Sequence, residues 1–183
     1  MIGFYGGSFD PVHYGHLHTA RAIKEELNLT QLFLMPCKEP VHKDELQFSN
    51  QQRLEMLTLA LDEFEELKID TREMERKSAS YTIDTLKQIK MDYPDEIVAL
   101  IIGADSFKVL DTWKDCQQFK AYAQLVVLPR HSNIPHSNLD FDAYFAKTAL
   151  VNVSSTQIRS KIHNHQDLSG LLPENIINYL RDL

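Results

Sequence analysis

Short runs of apolar, β-prone residues recur along the chain, at Met1–Tyr5, Leu32–Met35, Leu67–Ile69, Ile97–Ile102, Leu125–Leu128 and Leu150–Val153. Amphipathic stretches lie between most of them. Leu17, Ala20, Ile23 and Leu27 fall at the three- and four-residue spacing of one helix face. Ser49 and Gln52 make a capping-box pattern ahead of Leu54, Leu57 and Leu61. Thr82 to Lys90 carries Ile83, Leu86 and Ile89, with Asp84 placed to suit the dipole of the first turn. Ser154 or Ser155 is suited to cap a helix through Ile158 and Ile162, and Pro173 to open a last one holding Ile176, Ile177 and Leu180. Continuous apolar strands alternating with such helices predict an α/β fold, a mostly parallel sheet with helices on both faces. Ligands in that architecture bind at the carboxyl ends of the strands. His131 to Ala146 shows no clear element.

Composition adds bounds rather than a function. The 183 residues fit one domain, 1–183, with 43% hydrophobic and 25% charged residues. A formal charge of -7 argues against a broad nucleic-acid surface, which needs a basic face, but leaves room for a small anionic ligand held by local donors. Cys37 and Cys116 are far apart and form no CxxC pair, so they read as reduced thiols rather than zinc ligands. No basic stretch leads into a long apolar run, and Ile97–Ile102 is too short to span a bilayer. The expectation is a cytoplasmic protein with no membrane partner, and a homo-oligomer is compatible with it.

The chemistry is concentrated in two motifs. Gly6-Gly7 ends the first strand, and Gly15-His16 opens the first helix. Glycines there let a backbone approach a bulky anion, and a helix N-terminus offers free N–H groups. His13 and His16, three apart, suit a pair of directional donors to phosphate oxygen. Taken singly, these features are as often an ordinary turn and solvated histidines. The run is neither a Walker A loop nor GxGxxG. The whole string, Gly6-Gly7-Ser8-Phe9-Asp10-Pro11-Val12-His13-Tyr14-Gly15-His16, is far more specific. It resembles the (T/S)FDPxHxGH signature of the nucleotidyltransferase superfamily, whose members have a Rossmann-like fold. The resemblance implies that Gly6, Gly7, Ser8, Phe9, Asp10, His13 and His16 hold the triphosphate of ATP.

The second motif, Val153-Ser154-Ser155-Thr156-Gln157-Ile158-Arg159, reads as a strand-to-helix junction with three hydroxyls. Hydroxyls at such a place commonly cap. Arg159, three residues after Thr156, lies on nearly the same face, so hydroxyl and guanidinium can grip one phosphate chain. The segment resembles the superfamily's (I/V)SSTxIR motif, which implies ATP contacts from Ser154, Ser155, Thr156 and Arg159.

The middle of the chain narrows the resemblance to the bacterial nicotinate-nucleotide adenylyltransferases. Ser80-Tyr81-Thr82-Ile83-Asp84-Thr85-Leu86 is similar to their SYTxxTL segment. Ile101-Ile102-Gly103-Ala104-Asp105-Ser106 with Thr112-Trp113 is similar to their IIGxDs…W stretch. Pro36, Pro40, His42 and Lys43 resemble their PxxxPPHK loop, and Leu128-Pro129-Arg130 their next strand end. The resemblance implies ATP contacts from Gly103 and Asp105 and mononucleotide contacts from Ser80, Tyr81, Thr82, Trp113 and Arg130. It implies a catalytic set of His13, His16, Lys43 and Arg159. Physically, Trp113 offers a flat face for a pyridine ring, although a single Trp is as readily core. Lys43 and Arg130 alone would read as solvated cations.

The implied reaction is transfer of the adenylyl group of ATP to nicotinate mononucleotide, giving nicotinate adenine dinucleotide and pyrophosphate, a step of NAD biosynthesis. Mg²⁺ is expected to ride mainly on substrate phosphates, with no metal site built from the chain's own residues. Two positions depart from the family pattern: Val41 replaces the second proline of PPHK, and Lys114 follows Trp113 where tyrosine is common. The alternatives are an adenylyltransferase for nicotinamide mononucleotide or phosphopantetheine, and a noncatalytic nucleotide sensor.

Overall fold

A computed structural model describes residues 1–38, 46–77, 79–128, 142–148 and 151–183. Six strands, β1 (Ile2–Gly7), β2 (Gln31–Pro36), β3 (Lys68–Ile69), β4 (Val98–Gly103), β5 (Gln124–Leu128) and β6 (Ala143–Phe145), form one sheet in the order β3-β2-β1-β4-β5-β6. Every neighbouring pair is parallel. The helices are α1 (Tyr14–Glu26), α2 (Asn50–Ala60), α3 (Arg72–Glu75), α4 (Thr82–Asp92), α5 (Ala104–Lys108), α6 (Ser155–His163) and α7 (Glu174–Arg181). The chain runs outward from β1 through β2 to β3, then returns to place β4 on the other side of β1. That reversal makes a switch point where the carboxyl ends of β1 and β4, at Gly7 and Gly103, open a crevice.

The strands alternate between two cores. Tyr5, Leu32, Leu34, Ala99, Ile101, Val126 and Leu128 face one cluster, shared with Leu17, Ala20 and Ile23 of α1, Met56 and Leu57 of α2, Ile158 of α6 and Ile176 of α7. Ile2, Phe4, Phe33, Met35, Leu100, Ile102 and Val127 face the other, with Ile83, Leu86 and Ile89 of α4 and Phe107 of α5. Both faces are therefore sealed from water, which is why the strands read as unbroken apolar runs.

The helix starts follow their caps. Ser49 accepts from the Gln52 N–H at 3.2 Å while Gln52 returns a bond to the Ser49 N–H at 2.9 Å, the full capping box. Ser154 caps α6 by accepting from the Gln157 N–H at 3.2 Å. One strand is corrected. Val151–Val153, the described part of the expected sixth strand, is not strand: the Val153 N–H bonds to the Val151 carbonyl at 2.8 Å, a tight turn that removes it from any ladder. The sixth strand is Ala143–Phe145, inside the stretch where the sequence showed no clear element.

Candidate active site

The loop leaving β1 is held from beneath. The Cys37 N–H donates to the Gly7 carbonyl at 3.0 Å. Phe9 adopts a left-handed φ of 46° and buries its ring completely, edge-on to Tyr5 and to His16. A Cβ at Gly7 would stand 3.0 Å from that ring, so this glycine gives clearance to Phe9. Asp10 is buried too. Its Oδ1 accepts from the Phe48 N–H at 2.9 Å and its Oδ2 from the Gln47 N–H at 3.0 Å, tying the loop to the residues just before α2. Phe9 and Asp10 thus shape the loop, while the crevice side is left to its backbone and histidines.

His13 is the N-cap of α1, and its Nδ1 accepts from the His16 N–H at 3.3 Å. A neutral imidazole accepting at Nδ1 carries its proton on Nε2. The two rings stack with centroids 3.7 Å apart and planes 23° apart. Gly15 makes the arrangement possible: a Cβ there would lie 2.7 Å from the His13 ring and 2.9 Å from the Val153 carbonyl oxygen. His13 is buried and His16 half-buried, so two imidazoles are fixed at one helix start.

The motif from the far end of the chain closes on the same place. Arg159 Nη1 donates to the Asp10 carbonyl at 2.8 Å and stands 3.6 Å from the Asp10 carboxylate; its Nη2 donates to Thr156 Oγ1 at 3.2 Å. Ser155 Oγ donates to the Pro11 carbonyl at 3.1 Å. Ser154 is committed as the cap of α6, which leaves Thr156 as the exposed hydroxyl of the three.

Sequence reasoning missed Arg53. Its side chain is fully buried within α2. Nη1 donates to the Ser8 carbonyl at 2.5 Å, and Nη2 to the carbonyls of Cys37 at 2.8 Å and Lys38 at 3.0 Å and to Asn50 Oδ1 at 2.6 Å. Burial pushes its pKa down, opposed by Cys37 and Asp10. The signal was its place three, four and seven residues before Met56, Leu57 and Ala60, on the buried face of α2.

The polar chain continues. Lys38 Nζ donates to the Arg76 carbonyl at 3.0 Å. Arg76 Nη1 donates to Ser80 Oγ at 3.0 Å and Thr85 Oγ1 at 2.9 Å, and Thr85 Oγ1 donates to buried Glu73 at 2.8 Å. Hydrogen bonds therefore link the loop after β1, through Arg53 and Lys38, to the start of α4. At that start Tyr81 is the N-cap residue but makes no side-chain cap, so the first N–H groups of the helix are not taken by a cap. Thr82 is half-buried, and Tyr81 is exposed.

Trp113 is half-buried, packed on the α4 side of the sheet with its ring edge-on to Phe119 at 6.4 Å, and its buried Nε1 has no hydrogen-bond partner among the described residues. It serves the core with part of its surface. Asp105 is exposed in the first turn of α5, 3.8 Å from Lys108. Among the described residues, a Cβ at Gly103 meets nothing within 4 Å, so the end of β4 borders open space. Lys43 and Arg130, with Val41, lie outside the described residues.

Residues 4–161 match a family model described as cytidylyltransferase-like. A protein of Vesicomyosocius okutanii named probable nicotinate-nucleotide adenylyltransferase is 45% identical, the match covering 100% of this chain and 95% of that relative. One of the same name from Psychromonas ingrahamii is 36% identical over 99% of this chain and 94% of its own length. Among solved structures, the Plasmodium falciparum nicotinic acid mononucleotide adenylyltransferase complexed with NaAD superposes with a TM-score of 0.78 at 20% identity, covering 99% of this chain and 94% of that one. That likeness establishes a shared fold.

Proposed function

The chain belongs to the cytidylyltransferase-like family, alongside the nicotinate-nucleotide adenylyltransferases that match it end to end, and from that membership we propose how its residues carry out adenylyl transfer. The reaction is nicotinate mononucleotide plus ATP to nicotinate adenine dinucleotide and pyrophosphate. One observation carries the reading most directly. Arg159 reaches the Asp10 carbonyl at 2.8 Å, so the two phosphate motifs, 149 positions apart, share one wall of the crevice.

A phosphate oxygen of the mononucleotide attacks the α-phosphorus of ATP. The bond from that phosphorus to the β-phosphate bridge breaks, and pyrophosphate takes the electron pair. The attacking group is already anionic near pH 7, since a phosphomonoester loses its second proton at about 6. No general base is needed, and the site's chemistry is alignment and charge stabilisation. We assign His13, His16, Lys43 and Arg159 to the triphosphate and to the charge growing on pyrophosphate. The backbone of Gly6 to Ser8, Thr156, Gly103 and Asp105 line the ATP side. Trp113 backs the pyridine ring, the uncapped start of α4 at Tyr81–Thr82 receives the nicotinate carboxylate, and we assign Arg130 to balancing phosphate charge.

The donors at this site are imidazole, guanidinium, hydroxyl and backbone N–H, a set suited to phosphate oxygen rather than to a divalent cation. The Asp10 carboxylate is engaged by two backbone N–H groups. Mg²⁺ would accordingly be held mainly by the substrate phosphates and water rather than by these residues, and would supply charge neutralisation there. Both substrates are charged nucleotides, which suits a cytoplasmic reaction. Pyrophosphate release measured with Mg-ATP and each of nicotinate mononucleotide, nicotinamide mononucleotide and phosphopantetheine tests the reading. Release with the nicotinate acceptor supports it. Release with phosphopantetheine alone, or with none, overturns it.

A further inference from the structure

Lys114, the residue that departs from the family pattern after Trp113, reaches across to the start of α4. Its ammonium lies 4.4 Å from the centroid of the Tyr81 ring and 3.9 Å from the Asp84 carboxylate. Tyr81 is the N-cap of α4 and Asp84 lies in its first turn. The two charged side chains remain 48% and 46% exposed, so the pair adds little to folding stability. Its placement is what matters: it stands beside the helix start assigned above to the acceptor's carboxylate.

We propose that Lys114 is a specificity-determining residue that, by neutralising Asp84, sets the preference for an acidic over an amide pyridine ring. The proposal rests on the acceptor reading above. Nicotinate and nicotinamide have nearly the same shape and differ by one negative charge. Uncapped N–H groups at a helix start bond the oxygen of either, so they discriminate only through the helix dipole. The net side-chain charge around them supplies further discrimination. Asp84 alone repels a carboxylate held at the same helix start and leaves an amide nearly untouched. Lys114 cancels that repulsion, and the face of Tyr81 helps hold the cation in place. Across several ångströms of partly solvated space, one unit charge changes the acid-to-amide ratio by roughly three- to tenfold. The effect must weaken as salt shortens the screening length from about 10 Å at 0.1 M to about 3 Å at 1 M.

The test compares kcat/KM for nicotinate and nicotinamide mononucleotides in the wild-type enzyme, Lys114→Met, Asp84→Asn and Lys114→Arg. The expected result is a lower acid-to-amide ratio in Lys114→Met, a higher one in Asp84→Asn, and a near-wild-type ratio in Lys114→Arg. The first two shifts should shrink at high salt. A purely structural disturbance would move both substrates together and be indifferent to salt. Ratios that stay unchanged in Lys114→Met and Asp84→Asn, or that move in the same direction, overturn the proposal while the acceptor reading stands. A wild-type enzyme that adenylylates neither mononucleotide overturns the acceptor reading and this proposal with it.

Discussion

Arg53 donates from Nη1 to the backbone carbonyl of Ser8 at 2.5 Å, from a side chain with no exposed surface. The same guanidinium holds the carbonyls of Cys37 and Lys38 at the end of β2. One buried fork thus fixes the loop after β1 to the neighbouring strand, with the planar geometry of a guanidinium.

Arg53→Met should leave those carbonyls without a donor, at about 1–3 kcal/mol for each that water cannot reach. A clear fall in melting temperature and a raised KM for ATP are expected. Arg53→Lys, with donors but no fork, should recover part of the stability and less of the ATP affinity. Thermal melting with steady-state kinetics checks both, and an unchanged ATP KM in both variants would show that the loop does not depend on this anchor.

Gly15→Ala places a methyl group 2.7 Å from the His13 ring and 2.9 Å from a backbone oxygen of the second motif. Overpacking of this kind costs about 1–3 kcal/mol. Because the ring must move, kcat should fall by more than the stability loss alone explains. A variant with wild-type kcat at a temperature well below its melting point would refute that link.

His16→Ala should lower kcat by roughly a hundredfold or more, as loss of one transition-state donor does, with a smaller change in the KM values. Steady-state kinetics decide it, and a kcat within a few-fold of wild type would remove His16 from the reacting centre.

Burial raises the pKa of Glu73 above the usual carboxylate range, against the opposing pull of Thr85 and Arg76. A folded state that binds the proton more tightly than the unfolded state gains stability below the unfolded pKa of about 4.3. That gain is lost as pH rises through the folded value. Glu73→Gln stays neutral and can still accept the Thr85 hydroxyl. Its melting temperature relative to wild type should therefore climb as pH goes from acidic to neutral, and a relative decline over that range would contradict the assignment.

Much of this was legible locally. The capping box at Ser49 and Gln52, the Ser154 cap and the apolar rows of α1 and α4 are properties of a few adjacent residues, and they appear where their patterns stand. Five of the six strands overlap their apolar runs; for β1, β2, β4 and β5, burial on both faces keeps the run almost wholly apolar, whereas in β3 Lys68 is exposed. β6 escaped because it is a short edge strand with Tyr144 exposed, whereas the apolar Val151–Val153 turns back on itself. At the site, the histidine pair and Arg159 were readable from their motifs. The engagement of Asp10 with Gln47 and Phe48 was not, nor was the reach of Arg53 to Ser8, because their partners are backbone groups brought near only by the folded sheet.

The most direct measurement follows the α-phosphate. The protein is incubated with Mg-ATP labelled at that phosphate and with nicotinate mononucleotide, and the products are separated. The label is expected to move into nicotinate adenine dinucleotide, with one unlabelled pyrophosphate released for each dinucleotide formed. Label that stays in ATP, or that appears only as AMP or ADP without dinucleotide, would contradict it.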